Sequence, residues 1–164
     1  MVKLRIKISK LAPSFTDFSA LLALLHRAFA FQHDLIDPPS SLHLLDEQSL
    51  AEKINQELVL VAQDAGVIVG CIFIKWHEDY AYFGKHAVEP SWQHRGIGKQ
   101  LIQAAEQCVL ERGFYRVMLQ VRVELVENQL VFAKMGFVKS AETSHPGYKK
   151  VTSITMTKNL AKVK

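Results

Sequence analysis

At 164 residues, 49% apolar and 22% charged, the chain is long enough to bury the core of a domain and too apolar for disorder. Its net charge of +4 is spread without a Lys/Arg block or a basic helix stripe, which excludes an obvious nucleic-acid partner but suits a phosphate-bearing small molecule. The longest apolar run, "ALLALL" at 20–25, is far short of the ~20 residues that cross a bilayer, so no membrane partner is expected.

In chain order, "MVKLRIKISKL" alternates apolar and basic residues. It predicts a strand over 3–8, and it lacks an export signal, so a cytoplasmic protein is expected. In "FTDFSALLALLHRAF", Phe15, Phe18, Leu22, Leu25 and Phe29 recur at helical spacing, with Thr16 or Asp17 as the cap. "IDPPSS" at 36–41 is a loop, because consecutive prolines remove donors and fix φ. A short helix follows over about 46–56, with Leu50 and Ile54 four apart.

"ELVLVAQ" runs through Asp64-Ala65-Gly66 into "VIVGCIFIKW", a hairpin, and "YAYFGKHAV" at 80–88 is a further strand ended by Pro90. "KQLIQAAEQCVLER" predicts a helix with Leu101, Ile102, Ala105, Cys108 and Val109 inward, closed by Gly113. "YRVMLQVR" is a strand, "ENQLVFAKM" a helix with Gly136 after it, and "TSITMTK" a last strand. The order β, α, α, β, β, β, α, β, α, β has no repeat or linker and indicates one mixed α/β (α+β) domain over 1–164. Cys71 and Cys108, among apolar neighbours, are expected as two buried thiols. The seven histidines lack zinc-site spacing, so no metal is assigned.

The chemistry concentrates in "EPSWQHRGIGKQL" at 89–101. A strand, a glycine turn and a helix start present unpaired N–H groups and the positive end of a helix dipole to an anion. His94, Arg95 and Lys99 add positive charge. A dinucleotide fingerprint would need glycine where Leu101 stands, and a Walker loop glycine at Gln93 and Ser/Thr at Gln100. A lone pair of glycines also serves an ordinary tight turn.

The wider stretch "AVEPSWQHRGIGKQL" resembles the coenzyme A motif of the GNAT superfamily of N-acetyltransferases: a strand ending near V-x-P, then [QR]-x-x-G-x-[GA] opening a helix. Gln93, Gly96 and Gly98 fill the three signature positions, and Val88 stands five before Gln93. The resemblance continues in order to "VFAKMGF" at 131–137. It implies a mostly antiparallel sheet of about six to seven strands flanked by about four helices, with the strands at 80–88 and 115–122 splayed to admit the cofactor. It further implies acetyl-CoA as cofactor. The amides of Gln93, His94, Arg95, Gly96, Ile97, Gly98 and Lys99 would hold its pyrophosphate, and main-chain groups of Ala87 and Val88 its pantetheine arm. The implied activity is direct acetyl transfer to a primary amine on a small molecule, peptide or protein. Dimerisation is common among GNAT-like folds, so a homodimer is a further expectation, although no exposed apolar edge in the sequence identifies the contact.

The pattern departs at one place. The superfamily's usual Tyr falls on Phe132 and its usual Asn on Leu125. That Tyr commonly protonates the departing thiolate, which Phe cannot do. Asn128, one turn on, is either a substitute in holding the cofactor or an exposed helix-start residue. For the oxyanion donor, the Val88 N–H is the first choice. Period-two alternation puts positions 82, 84, 86 and 88 on one face, so Tyr82 and His86 are either acceptor-cleft bases or packed wall residues, with Gly84 leaving room between them. Tyr148, on the turn "ETSHPGYKK" with His145, is either the replacement acid or a surface residue, and Glu124 is either a further base or an ordinary solvated carboxylate. "DPPSSLHLLD" at 37–46, with His43, stands where such folds place their acceptor-contacting segment. Two rivals remain: a non-catalytic acyl-CoA sensor, and a nucleic-acid-binding domain, which would lose affinity steeply with salt.

Overall fold

Alternation and helical periodicity translate directly into elements in the computed structural model, which describes residues 6–161. In order these are β1 (Ile6–Lys10), α1 (Phe18–Phe29), α2 (Glu47–Gln56), β2 (Leu58–Asp64), β3 (Val67–Trp76), β4 (Ala81–Val88), α3 (Ile97–Glu111), β5 (Arg116–Arg122), α4 (Val126–Lys134), β6 (Val138–Thr143) and β7 (Ser153–Asn159). Residues 3–5 of the expected first strand lie outside the described residues. Local chemistry sets the helix starts. The Asp17 carboxylate accepts from the Ala20 amide (3.1 Å) ahead of α1, and Asp46 and Ser49 form a reciprocal capping box on α2.

The seven strands make one sheet in the order β1-β2-β3-β4-β5-β7-β6. All pairings are antiparallel except β4 with β5. That parallel pairing is confined to Ala81 with Val117 and Tyr82 with Met118, beyond which the two strands part. The expected mixed sheet, four helices and splayed pair are therefore present. One strand was not foreseen. "VKSAET" in β6 shows no apolar alternation, because every residue of this edge strand is exposed.

The sheet separates two apolar cores. α3 buries Ile97, Leu101, Ile102, Ala105 and Val109 against Ile72, Ile74, Ala81, Phe83, Val117 and Leu119. On the opposite face, Leu21, Leu24, Leu25 and Ala28 of α1 and Leu50 of α2 cover Val59, Val61, Cys71, Phe73 and Ala87. Cys71 is fully buried, but Cys108 is only half-buried, since its helix position lies at the edge of the α3 stripe.

A bulge interrupts β4. Cys71 faces Ala87 and Phe73 faces Gly84, so Lys85 and His86 together oppose Ile72 alone. Lys85 adopts φ +47°, and the Cys71 thiol donates to its carbonyl (3.5 Å). The extra residue breaks period-two alternation, which corrects the expectation that 82, 84, 86 and 88 share a face. Tyr82 and Gly84 stay on the α1/α2 side, opposite Ala81 and Phe83, whereas His86 and Val88 turn to α3, where both approach Gly98.

Leu101 has no exposed surface and sits at the centre of the α3 contact. Leu101→Ala is expected to cost about 2–5 kcal/mol of stability, from lost transfer energy and a residual cavity, as measured by urea unfolding.

Candidate active site

The parting of β4 and β5 opens two adjoining cavities. The smaller, about 270 Å³, lies over the start of α3 and is lined by Ala87, Val88, Trp92, Gln93, His94, Gly96, Ile97, Gly98 and Asn128, with Phe29 and Gln32 from the α1 side. The larger, about 630 Å³, lies over the gap itself. Val88 edges that gap. The Glu89 amide donates to the Val69 carbonyl on β3 (2.7 Å), so by strand alternation the Val88 N–H and C=O point away from β3. The Val88 carbonyl accepts from Gln93 Nε2 (3.1 Å).

The turn into α3 leaves donors exposed. The Gln93 amide is taken by the Pro90 carbonyl (3.3 Å), which removes it from the expected cradle. His94 and Gly96 both have positive φ, +64° and +82°. Gly96 is the N-cap and offers no side chain, and the first helical bond runs from Gln100 N–H to the Gly96 carbonyl (3.0 Å). The amides of Ile97, Gly98 and Lys99 are thus left without a helical acceptor. A Cβ on Gly98 would stand 3.3 Å from the His86 ring and 3.6 Å from Val88. Arg95 stacks over Trp92 (4.8 Å to the centroid), and His94 and Lys99 are exposed beside it. This free-donor, positively charged turn fits a diphosphate.

His86 donates from Nε2 to the Gly98 carbonyl (2.8 Å), which leaves Nδ1 as its basic nitrogen. Burial holds its pKa below the ordinary histidine value. Its ring packs beside Phe132 (6.1 Å between centroids), which in turn meets Phe137 edge-on (5.9 Å). The position where a tyrosine was sought is therefore an apolar wall.

Across the gap, Tyr82 lines the larger cavity, its phenol pushed up in pKa chiefly by burial and brought back in part by the Gln120 backbone. Lys85 lines it as well, its pKa lowered mainly by burial. A lid of Pro38, Pro39, Ser40, Ser41, His43 and Leu44 covers this side, so the segment at 37–46 does border the cavity. Two bonds tie the lid to the far half of the sheet. Tyr148 Oη donates to Asp37 Oδ1 (2.8 Å), and Arg122 Nη2 donates to the Pro39 carbonyl (3.1 Å). Donation to the carboxylate raises the Tyr148 pKa. Beside them, His145 Nδ1 bonds the Thr152 hydroxyl. Glu124, in the turn after β5, has a buried Oε2 without a partner and does not line the larger cavity.

The structure thus gathers Val88, Gln93, His94, Gly96, Ile97, Gly98 and Asn128 around one cavity and Tyr82 and Tyr148 around the other, with His86 and Asn128 touching both. The sequence reading missed Lys85 and Arg122. Lys85 enters through the bulge, which has no sequence signature, and Arg122 was treated only as the end of a strand. Its even position, opposite in facing to Val117, Leu119 and Val121, was the available signal.

A model of the acetyltransferase (GNAT) family matches residues 20–137. An IAA acetyltransferase of Azospirillum brasilense is 30% identical over 102 residues, 61% of this chain and 65% of that protein, just under two thirds of its length. An acetyltransferase of Sodalis glossinidius is 32% identical over 110 residues, 65% of this chain and 70% of that protein. The fold is shared with the PaiA N-acetyltransferase of Thermoplasma acidophilum, solved with coenzyme A (TM-score 0.79, 20% identity, 94% of this chain and 98% of that one). It is shared too with the ribosomal-protein-S18-alanine N-acetyltransferase of Escherichia coli (TM-score 0.75, 20% identity, 97% and 96%).

Two outcomes are expected of the cradle. Gly98→Val, which forces side-chain atoms toward His86 and Val88, should weaken desulfo-coenzyme A binding about tenfold or more in calorimetry, ~1.4 kcal/mol, with circular dichroism unchanged. His86 takes up a proton less readily folded than unfolded. The stability it contributes is therefore complete above the ordinary value of 6.5 and falls as pH drops below it. Thermal unfolding between pH 7.5 and 5.5 should show that fall, and His86→Gln should flatten it.

Proposed function

The chain belongs to the GNAT acetyltransferase family, acyltransferases whose cosubstrate is acetyl-CoA, and on that premise we propose that it passes the acetyl group directly to a primary amine within a ternary complex. The observation that carries this reading is the gap between β4 and β5 beside a glycine-opened helix start. When bound, acetyl-CoA supplies an acetyl group already activated as a thioester.

The chain's own groups then divide the work. The free amides of Ile97, Gly98 and Lys99, with the positive charge of Arg95 and Lys99, hold the diphosphate. The Val88 N–H, pointing into the gap, donates to a carbonyl oxygen placed there. Ala87 and Val88 align the pantetheine arm, and Asn128, lining both cavities, borders its path. No cysteine carries the acetyl group. Cys71 is buried with its thiol pushed up to about 12, and Cys108 lines neither cavity.

The amine attacks only when neutral, so its proton must leave. His86 Nδ1 is the proton acceptor of this reading, Glu124 stands outside the cavity lining and takes no part in it, and Tyr82 supports it as a neutral wall donor on the acceptor side. Tyr148 is its acid. Hydrogen bonding to Asp37 keeps the phenol protonated at neutral pH, and it borders the same cavity as Phe132. One observation favours an acyl-CoA sensor instead, namely that Phe132 brings no hydroxyl to the gap.

Thiol release from acetyl-CoA, followed over a panel of small amines, polyamines and peptides, separates the two. Turnover on any of them is expected, and tight desulfo-coenzyme A binding with no release across the panel would establish the sensor. Tyr148→Phe should lower kcat about tenfold or more with the KM for acetyl-CoA unchanged. An unchanged kcat removes Tyr148 as the acid.

A further inference from the structure

The larger cavity has a one-sided charge. Lys85, Arg122, His43, His86 and His145 line it, and no carboxylate does. Nearby carboxylates are engaged or turned aside: Glu89 pairs with Arg27 and Glu57 with Lys53. Asp37 accepts from Tyr148 at the rim, and Glu124 sits outside the lining. Lys85 feels the Glu57 carboxylate, which is already ion-paired with Lys53, so the Lys85 ammonium and above all the Arg122 guanidinium, in a cavity with no carboxylate among its described lining residues, favour an anion there.

Arg122 is the sharper of the two. Among the described residues no carboxylate stands within ion-pairing distance of it. Its Nη2 is fixed on the Pro39 carbonyl, while Nη1 is buried and has no hydrogen-bond partner. A buried guanidinium nitrogen left unpaired is costly, and the group that satisfies it best is a planar or tetrahedral oxyanion. Position 122 lies on the α1/α2 side of β5, as Tyr82 does on β4, since Val117, Leu119 and Val121 face the opposite core. The lid bonds from Tyr148 and Arg122 roof this side, so the space favours a small molecule over a polypeptide segment.

We propose that the acceptor is a small amine that also carries an oxyanion, a carboxylate or a phosphate, and that Arg122 receives that group and sets specificity. This rests on the acetyl-transfer reading above. It places the amine's own anion across the gap from β4, on the β5 side of the cavity, and disfavours polyamines and lysine-rich peptides, whose extra positive charges would meet Lys85 and Arg122.

The test compares free amino acids with their α-carboxamides, and aminoalkyl phosphates with the matching amino alcohols, alongside spermidine and a lysine-rich peptide. The whole chain is used with acetyl-CoA, and thiol release is read. At least one oxyanion-bearing amine should exceed its neutral partner tenfold or more in kcat/KM, and the arm in which it does so identifies carboxylate or phosphate. Arg122→Gln should raise KM for that amine at least tenfold more than for its neutral partner, and Arg122→Lys should recover part of the loss. Desulfo-coenzyme A titration of each variant verifies that the cradle is intact. Equal loss on both partners, or preference for spermidine, the peptide or the neutral amines, overturns the proposal. Release with no amine at all, despite cofactor binding, instead removes the acetyl-transfer reading and this inference with it.

Discussion

Two parallel strands that pair over only two residues and then diverge create the constraint on which everything else in this molecule depends. Each strand edge past that point carries main-chain donors and acceptors that the sheet no longer satisfies. α3 packs under one face of the sheet and α1 with α2 over the other, so the two strands are each anchored to a filled core. The gap is therefore a stable structural element, and an extended ligand arm is the natural occupant of its unpaired edge.

The two sides of the gap have different chemistry because β4 changes the direction of its side chains midway. The bulge at Lys85 turns His86 and Val88 to the glycine-opened helix and keeps Tyr82 and Lys85 toward the lid. One residue of extra length thereby separates the face turned to the glycine-opened helix from the face turned to the lid. The buried Cys71 thiol, bonded to the Lys85 carbonyl, fastens the bulge from the neighbouring strand.

What the sequence reveals follows from the range of the forces involved. The helix start at Gly96–Gly98, the Asp17 cap and the hairpin at Ala65-Gly66 are local, and each was legible from neighbouring residues. So was the absence of a tyrosine at Phe132. The bulge was not legible, since its cause is the register of Cys71 and Phe73 on another strand. β6 was hidden because an edge strand exposed on both faces carries no alternation. Cys108 was read as buried because periodicity gives a stripe but not its width. That Arg122 meets the Pro39 carbonyl but no carboxylate among the described residues depends on distant parts of the fold, and no linear pattern encodes that.

The wall common to both cavities carries a last consequence. Phe29, at the end of α1, and Gln32, in the helical turn just after it, border the small cavity and the large one alike, and Arg27 of α1 grips Glu89 at the exit of β4 through two bonds of 2.8 and 2.7 Å. The same short segment therefore sets one edge of each space, and a change at Phe29 or Gln32 reshapes both at once.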